Sequence, residues 1–203
     1  WYKDNGKVMK TKLTKYLNMD DIPNQRLEFW DDKHFKKPYD GKLYNTGFFE
    51  ASRGCMHKCH YCINRAFQVF QQESGKVRRN KSVNRIIDEV KTIHKEKNFE
   101  LIMFTDDNFL ARQPRELDDL FKRWKEEINI SFSVVGALPG LIRSEKMAAL
   151  VKGGMYRIKM GIQSPSANML KFYKRPATPA STARAIRIIA DFSSGMIPPT
   201  YDM

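Results

Sequence analysis

All three cysteines of the chain fall within one short stretch, GCMHKCHYC (54–62), as Cys55, Cys59 and Cys62. Three thiols leave one over in any disulfide pairing, and a closed structural zinc site takes one more ligand than they provide. Thiolates at C-x3-C-x2-C spacing can instead wrap one side of a compact metal centre, as cysteines do for iron–sulfur clusters. A cubane [4Fe–4S] cluster has one more iron than this loop has cysteines, so one iron would stay open to a small molecule. The rival reading is a Cys3His zinc site completed by His57 or His60, which would make the loop part of a non-catalytic nucleic-acid module. Structural zinc sites usually draw ligand pairs from two chain segments, and no second cysteine pair exists here. Gly54 lets the backbone approach closely or take an unusual dihedral just before the first cysteine. Arg53 and Lys58 put positive charge beside what would be an anionic cluster.

The rest of the composition bounds what such a loop can belong to. With 203 residues, 41% hydrophobic and 29% charged, the chain can bury the core of one large domain. No apolar run approaches bilayer length, and the N-terminal WYKDNGKVMKTK has no signal-peptide core. No membrane insertion and a cytoplasmic, reducing location are therefore expected, which suits free or metal-bound thiols. The formal net charge of +13 and pI near 9.7 raise affinity for phosphates, nucleic acid or acidic surfaces. The Lys and Arg residues are nevertheless spread out, with one denser stretch at GKVRRNKSVNR (75–85), and RNP-type aromatic motifs are missing. A solvated basic surface is favoured over nucleic-acid binding. The chain starts at Trp1 and stops at IPPTYDM without a domain-closing element, so it reads as a segment of something longer.

Residues 1–45 carry turn signals at Asn5-Gly6, Ile22-Pro23 and Asp40-Gly41 but little periodicity, and read as a linker from an upstream domain. From residue 46 apolar strands alternate with amphipathic helices. A strand at 47–51 runs into the cysteine loop. A helix over 82–97 carries Val83, Ile86, Ile87, Val90 and Ile93 on one face. Strands follow at 100–105, 130–135 and 155–162, with helices from Pro114, over SEKMAALVKG ending at Gly153-Gly154, and from Thr178-Pro179 to about Gly195. A fifth strand is expected to begin near Met196, although Pro198 and Pro199 oppose regular pairing there. This alternation predicts an α/β fold with a parallel sheet, either doubly wound or barrel-like. In both, chemistry collects at the C-terminal strand ends. Those ends are the cysteine loop, TDDN (105–108), Gly136–Gly140 and QSPS (163–166).

C-x3-C-x2-C after the first strand of such a pattern, with Tyr61 just before the last cysteine, resembles the radical S-adenosylmethionine superfamily. The resemblance covers about 46–203 and implies a partial (β/α)6 TIM-like barrel, here incomplete at its C-terminal end. It implies a [4Fe–4S] cluster on Cys55, Cys59 and Cys62 whose open iron chelates S-adenosylmethionine. One electron, from a flavodoxin- or ferredoxin-type reductant, would then cleave the sulfonium to a 5′-deoxyadenosyl radical that abstracts hydrogen from a substrate. FTDDNF (104–109) resembles the segment that contacts the amino group of S-adenosylmethionine, which makes Asp106 and Asp107 candidates. GIQSPS (161–166) resembles the family's G-I-E-S-x-S, with Gln163 in place of glutamate and Ser164 beside it. MLKFYKRPAT (169–178) resembles a segment that makes Arg175 a carboxylate partner; the bland alternative is a solvated helix end. RRNKSVNRIIDEV (78–90), the F-x-D-D-x-F and PNQRLEFWDDKHFKKPYDGK (23–42) resemble members that carry an upstream cobalamin-binding domain and relay methyl groups. The cobalamin-ligating D-x-H-x-x-G is incomplete: Asp32-Lys33-His34 supplies half of it, and Lys37 stands where glycine belongs. Cobalamin would therefore be held by a domain before Trp1, and His34 reads as incidental. The methylthiotransferase branch, acting on RNA or protein, is the nearest rival within the superfamily. No substrate can be read from the residues.

Overall fold

Strands and helices alternate along the chain as the periodicity predicts, and the structure, a computed structural model, describes residues 1–195 and 198–203. β1 (Tyr2–Asp4) and β2 (Lys7–Met9) form a small antiparallel hairpin, and β3 (Lys36–Tyr39) and β4 (Lys42–Phe49) form a second. Asp40 and Gly41 turn the second hairpin, both at positive φ, as tight hairpin turns require. β5 (Ser52–Arg53), α1 (Ile63–Phe70) and β6 (Arg79–Asn80) frame the cysteine loop. There follow α2 (Val83–Lys97), β7 (Leu101–Phe104), α3 (Pro114–Glu127), β8 (Ser131–Ala137), α4 (Ser144–Lys152) and β9 (Met155–Gly161). The chain then runs through α5 (Ala167–Phe172), α6 (Pro179–Asp191) and β10 (Thr200–Asp202).

The main sheet has the order β10-β9-β8-β7-β4-β3. From β4 to β10 its neighbours are consecutive in the chain and parallel, with no reversal of direction across the sheet. A doubly wound sheet reverses its strand order at a switch point, whereas one-way winding keeps the crossover helices on one face and curls the sheet toward a barrel. The order therefore selects the partial TIM-like barrel from the two architectures the periodicity allows. The fifth parallel strand is present as β10; its expected start at Met196 lies outside the described residues. The sheet also reaches back before residue 46, because β4 begins at Lys42 and β3 adds an antiparallel edge.

Period-two alternation sends Ile102 and Phe104, Phe132 and Val134, and Ile158 and Met160 to the helical side, where all are buried in one core with Leu117, Trp124, Met147, Leu150 and Ile189. Phe121 stacks on Phe132 at 4.4 Å and 8°, and Trp124 closes the cluster edge-on while its Nε1 donates to Ile130 O at 2.8 Å. The opposite, concave face is polar: Arg157 pairs with Asp40 at 2.6 Å and Lys159 with Asp202 at 3.2 Å. Helix limits follow local chemistry. Ser82 caps α2 by accepting from Arg85 N–H, Asn98 ends it in the left-handed region, and Thr178 and Ser181 form a capping box on α6.

The lead-in has structure without periodicity. Short 3-10 turns bury Met19, Leu27 and Phe35, and Phe35 sits edge-on to Phe99. Asp20 Oδ1 accepts from Ser82 N–H at 2.7 Å and Arg85 Nη2 donates to Ile22 O at 2.6 Å, so the segment straps the start of α2. Among the described residues no helix is long and apolar enough to cross a membrane.

Because Trp124 is fully buried among aromatic rings, Trp124→Ala is expected to cost about 3–5 kcal/mol. Denaturant titration should show the midpoint falling with an unchanged slope; a midpoint within error of the parent would contradict this packing.

Candidate functional site

The loop that carries the cysteines leaves the sheet at Ala51 and returns at Lys81, and both ends are fastened to buried polar groups. Ala51 N–H donates to Asp106 Oδ2 at 3.0 Å, and Ser52 Oγ donates to Asp106 Oδ1. Arg112 Nη2 donates to Ala51 O at 2.6 Å and to Lys81 O at 2.8 Å, and Lys81 N–H donates to Ala51 O at 2.9 Å. Lys81 in turn pairs with Glu89 of α2 at 2.6 Å, both buried. The Asp106 oxygens, Lys81 and Glu89 are thereby partnered, the condition under which buried charge is tolerated, while Arg112 Nε has no partner among the described residues. Burial pushes the Asp106 carboxyl above the usual carboxylate range, while Ser52, Ala51 and the two guanidinium groups of Arg112 and Arg78 pull it down.

Just beyond this root, β5 and β6 pair Ser52 with Asn80 and Arg53 with Arg79. Gly54 has φ +82, and a Cβ there would run into the Val77 carbonyl. Only glycine suits both demands. The three cysteines then line one cleft of about 160 Å³ with His57, Tyr61 and Asn64. The opposite wall is made by the ends of three parallel strands: Asp107 after β7, Gly136 to Leu138 at the end of β8, and Gly161 and Gln163 at the end of β9. Gly136, at φ +74, lets β8 close on Asp106 O, which a Cβ would meet at 2.6 Å.

The adjacent aspartates of TDDN have separate tasks. Asp107 lines the cleft, and its oxygens accept from Gly54 N–H at 2.9 Å and Asn64 Nδ2 at 2.7 Å, so it joins the start of the cysteine loop to α1. Asp106 points away into the root of the loop, 3% exposed. Gln163 is on the wall in the left-handed region, φ 70. Ser164 is turned from the wall and accepts from Ser166 N–H within the turn that leads to α5. Arg175 is on the wall as a clamp: Nη2 donates to Gly161 O at 2.6 Å and Nη1 to Tyr61 Oη at 3.0 Å. Tyr61 packs edge-on to Tyr173, whose carbonyl accepts from His60 N–H at 2.9 Å. The end of β9 and the turn after α5 thereby hold the second half of the cysteine loop.

Two residues at the site have no counterpart in the motif reading. Gln68 Nε2 donates to Cys55 O and to His57 O, each at 2.7 Å, and Asn64 holds Asp107. Both lie on α1, which starts directly after Cys62. The available signal was the apolar i, i+4, i+7 spacing of Ile63, Phe67 and Phe70, which marks a helix and turns Asn64 and Gln68 to one side.

The electrostatics are those of a site prepared for an anion. His57 Nε2, Arg175 Nε and both Nη atoms of Arg78 are buried without a hydrogen-bond partner among the described residues. Burial, then the charges of Arg175 and Arg78, push the His57 imidazole below its ordinary value. Burial pushes the Cys55 thiol up, opposed by a hydrogen bond from the His57 backbone. The donor set and the unpartnered cationic groups together fit an anionic iron–sulfur cluster. Among the described residues no three Cys, His, Asp or Glu side chains gather closely enough to hold a single metal ion.

Cys55 and Cys59 are buried at 9% and 5% exposure, whereas Cys62 is partly open. In the metal-free protein a thiol reagent should therefore label Cys62 first. Gly54→Ala must move the loop, and Cys55 labelling is expected to accelerate toward the Cys62 rate. An unchanged order of labelling would contradict the close contact with Val77.

Residues 49–198 match the family model described as the radical SAM superfamily. The chain is 29% identical over 193 residues to a protein of Pyrococcus horikoshii named an uncharacterised methyltransferase, covering 94% of this chain and 39% of that protein. Its fold is shared with the cobalamin-dependent S-adenosylmethionine radical enzyme OxsB, with a TM-score of 0.74 at 19% identity over 98% of this chain and 28% of that one. It is shared also with the radical S-adenosylmethionine methyltransferase TsrM of Kitasatospora setae, with a TM-score of 0.65 at 16% identity over 95% and 34% of the two chains. The chain thus spans well under half the length of each. With the family match covering the cysteine loop and the ends of β7, β8 and β9 that wall the cleft, this chain belongs to the radical S-adenosylmethionine superfamily.

Proposed function

We propose that this chain is the S-adenosylmethionine-cleaving core of a radical enzyme, and that the whole protein uses it with cobalamin to transfer a methyl group. The observation that carries the first part is the cleft wall, where three thiols on one loop face the C-terminal ends of β7, β8 and β9. Cys55, Cys59 and Cys62 would each take one iron of a [4Fe–4S] cluster, leaving one iron open. When bound, the cluster and S-adenosylmethionine supply one-electron cleavage of the sulfonium and, from it, a 5′-deoxyadenosyl radical.

The chain's own residues bind, orient and shield. Asp107 and Gln68 fix the first half of the loop, and Arg175 through Tyr61 fixes the second. Gln163 offers an amide donor and acceptor on the cofactor wall without a charge. Gly136 and Gly161 leave the strand ends bare, so backbone groups can meet a ligand directly. The concave face continues into a second cavity lined by Tyr39, Ser133, Arg157, Lys159 and Asp202, where a polar substrate would find partners.

The methyl-transfer part rests on the relatives: one is named a methyltransferase, and OxsB and TsrM are described as cobalamin-dependent or methyltransferase radical enzymes. In this reading cobalamin is held outside the present chain, and a flavodoxin- or ferredoxin-type protein delivers the electron.

Anaerobic reconstitution is expected to load about four irons and about four sulfides per chain. The loaded protein, given a reductant and S-adenosylmethionine, should release 5′-deoxyadenosine. Cys59→Ala should lose iron and sulfide while keeping the far-ultraviolet circular dichroism of the parent. Zinc without sulfide in the parent, or a fully loaded Cys59→Ala protein, would overturn the reading.

A further inference from the structure

Behind the cleft, one guanidinium has both Nη atoms without an acceptor among the described residues. Arg78 follows Val77, whose carbonyl abuts Gly54, and precedes Arg79, which pairs with Arg53 in the β5–β6 ladder. The backbone therefore fixes Arg78 against the residue that introduces Cys55. Its guanidinium Nη1 and Nη2 are buried and have no hydrogen-bond partner among the described residues.

Its anionic neighbours make their hydrogen bonds elsewhere. Asp106 is the strongest anionic neighbour, followed by the Cys55 thiol, Asp107 and Glu116. The Asp106 oxygens are already engaged by Ala51 N–H and Ser52 Oγ, and those of Asp107 by Gly54 N–H and Asn64. Glu116 is committed to the cap of α3 through Gln113 N–H. The other charged groups acting on the same space are cations. Arg112 is spent on Ala51 O and Lys81 O, and Lys146 on Leu110 O, and both feel Arg78. Burial lowers the pKa of Arg78, but a guanidinium does not lose its proton in a protein. Guanidinium N–H groups buried without an acceptor are a cost to the folded state, and such groups persist where an anion completes them.

We propose that Arg78 is a built-in counter-charge for the cluster on Cys55, Cys59 and Cys62, acting through space from behind the loop to raise its reduction potential. The inference rests on the cluster reading above and adds a residue that does not line the cleft. Reduction adds one electron, and hence one more negative charge, to the cluster. A fixed positive charge nearby stabilises the reduced form more than the oxidised one, and the dry surroundings keep the interaction strong. The electron comes from dithionite in the test that follows.

The full chain is prepared as wild type, Arg78→Met and Arg78→Lys, and the midpoint potential of each loaded protein is read by titration under electron paramagnetic resonance. Iron and sulfide content and the melting temperature of each metal-free protein are measured in parallel. Arg78→Met is expected to retain iron and sulfide, with the reduced-to-oxidised ratio at fixed poise falling about tenfold, equivalent to a midpoint about 59 mV more negative for a one-electron couple. Arg78→Lys should recover most of that shift. Metal-free Arg78→Met should melt no lower than the metal-free parent, because without the cluster the buried Nη atoms lack an acceptor among the described residues. An unmoved midpoint in loaded Arg78→Met would overturn the proposal. So would a metal-free Arg78→Met that melts lower or fails to fold, since the guanidinium would then be a structural group. A parent that takes up no iron and sulfide would overturn the underlying cluster reading as well, an outcome distinct from a loaded parent whose midpoint Arg78 does not move.

Discussion

Every part of the cleft depends on the backbone of Ala51, the last point at which the cysteine loop touches the sheet. Its N–H is held by Asp106 and its carbonyl by both Lys81 N–H and Arg112, so the segment that leaves at Ala51 is forced to come back beside it. Closing a long excursion at its base shrinks the freedom of everything within it. The base is made of buried charged side chains that hold one another and the backbone: Asp106 accepts from two donors, Arg112 Nη2 donates to two carbonyls, and Lys81 pairs with Glu89. The loop can then carry three thiols with little regular structure of its own.

A second constraint comes from the winding of the sheet. Because β4, β7, β8 and β9 lie side by side in chain order, their C-terminal ends form one rim. The cysteine loop is folded over that rim and tied down twice, by Asp107 near its start and by Arg175 near its end. Close approach is made by glycines where a side chain would collide, at Gly54 against Val77 and at Gly136 against Asp106. At Gly136 and Gly161 the strand-end wall carries no side chain, which suits a site that must admit a cofactor and a cluster edge together.

Much of this was legible in the residues. The helical face of Val83, Ile86, Ile87, Val90 and Ile93 gave α2, and short apolar runs gave β7, β8 and β9, because long or strongly patterned segments bury one face in a single core. What stayed hidden has physical reasons. Asp106 and Asp107 are neighbours of one type at a strand end, where consecutive side chains point opposite ways; which one turns inward depends on register, and the register is set by partner strands. Arg175 reads in the sequence as a solvated helix end before it reads as a ligand partner, and its bonds to Gly161 O and Tyr61 come from chain segments distant in sequence. Helix α5 is too short to show a period. The lead-in packs through 3-10 turns and side-chain bonds to α2, which leave no repeating pattern.

The central claim is that the cysteine loop keeps one iron of a cluster open for S-adenosylmethionine. The most direct measurement is electron paramagnetic resonance of the anaerobically reconstituted, dithionite-reduced protein with and without S-adenosylmethionine. A reduced-cluster signal whose g-values shift when S-adenosylmethionine is added is expected. A cluster signal indifferent to S-adenosylmethionine, or no cluster signal from a protein carrying zinc, would contradict it.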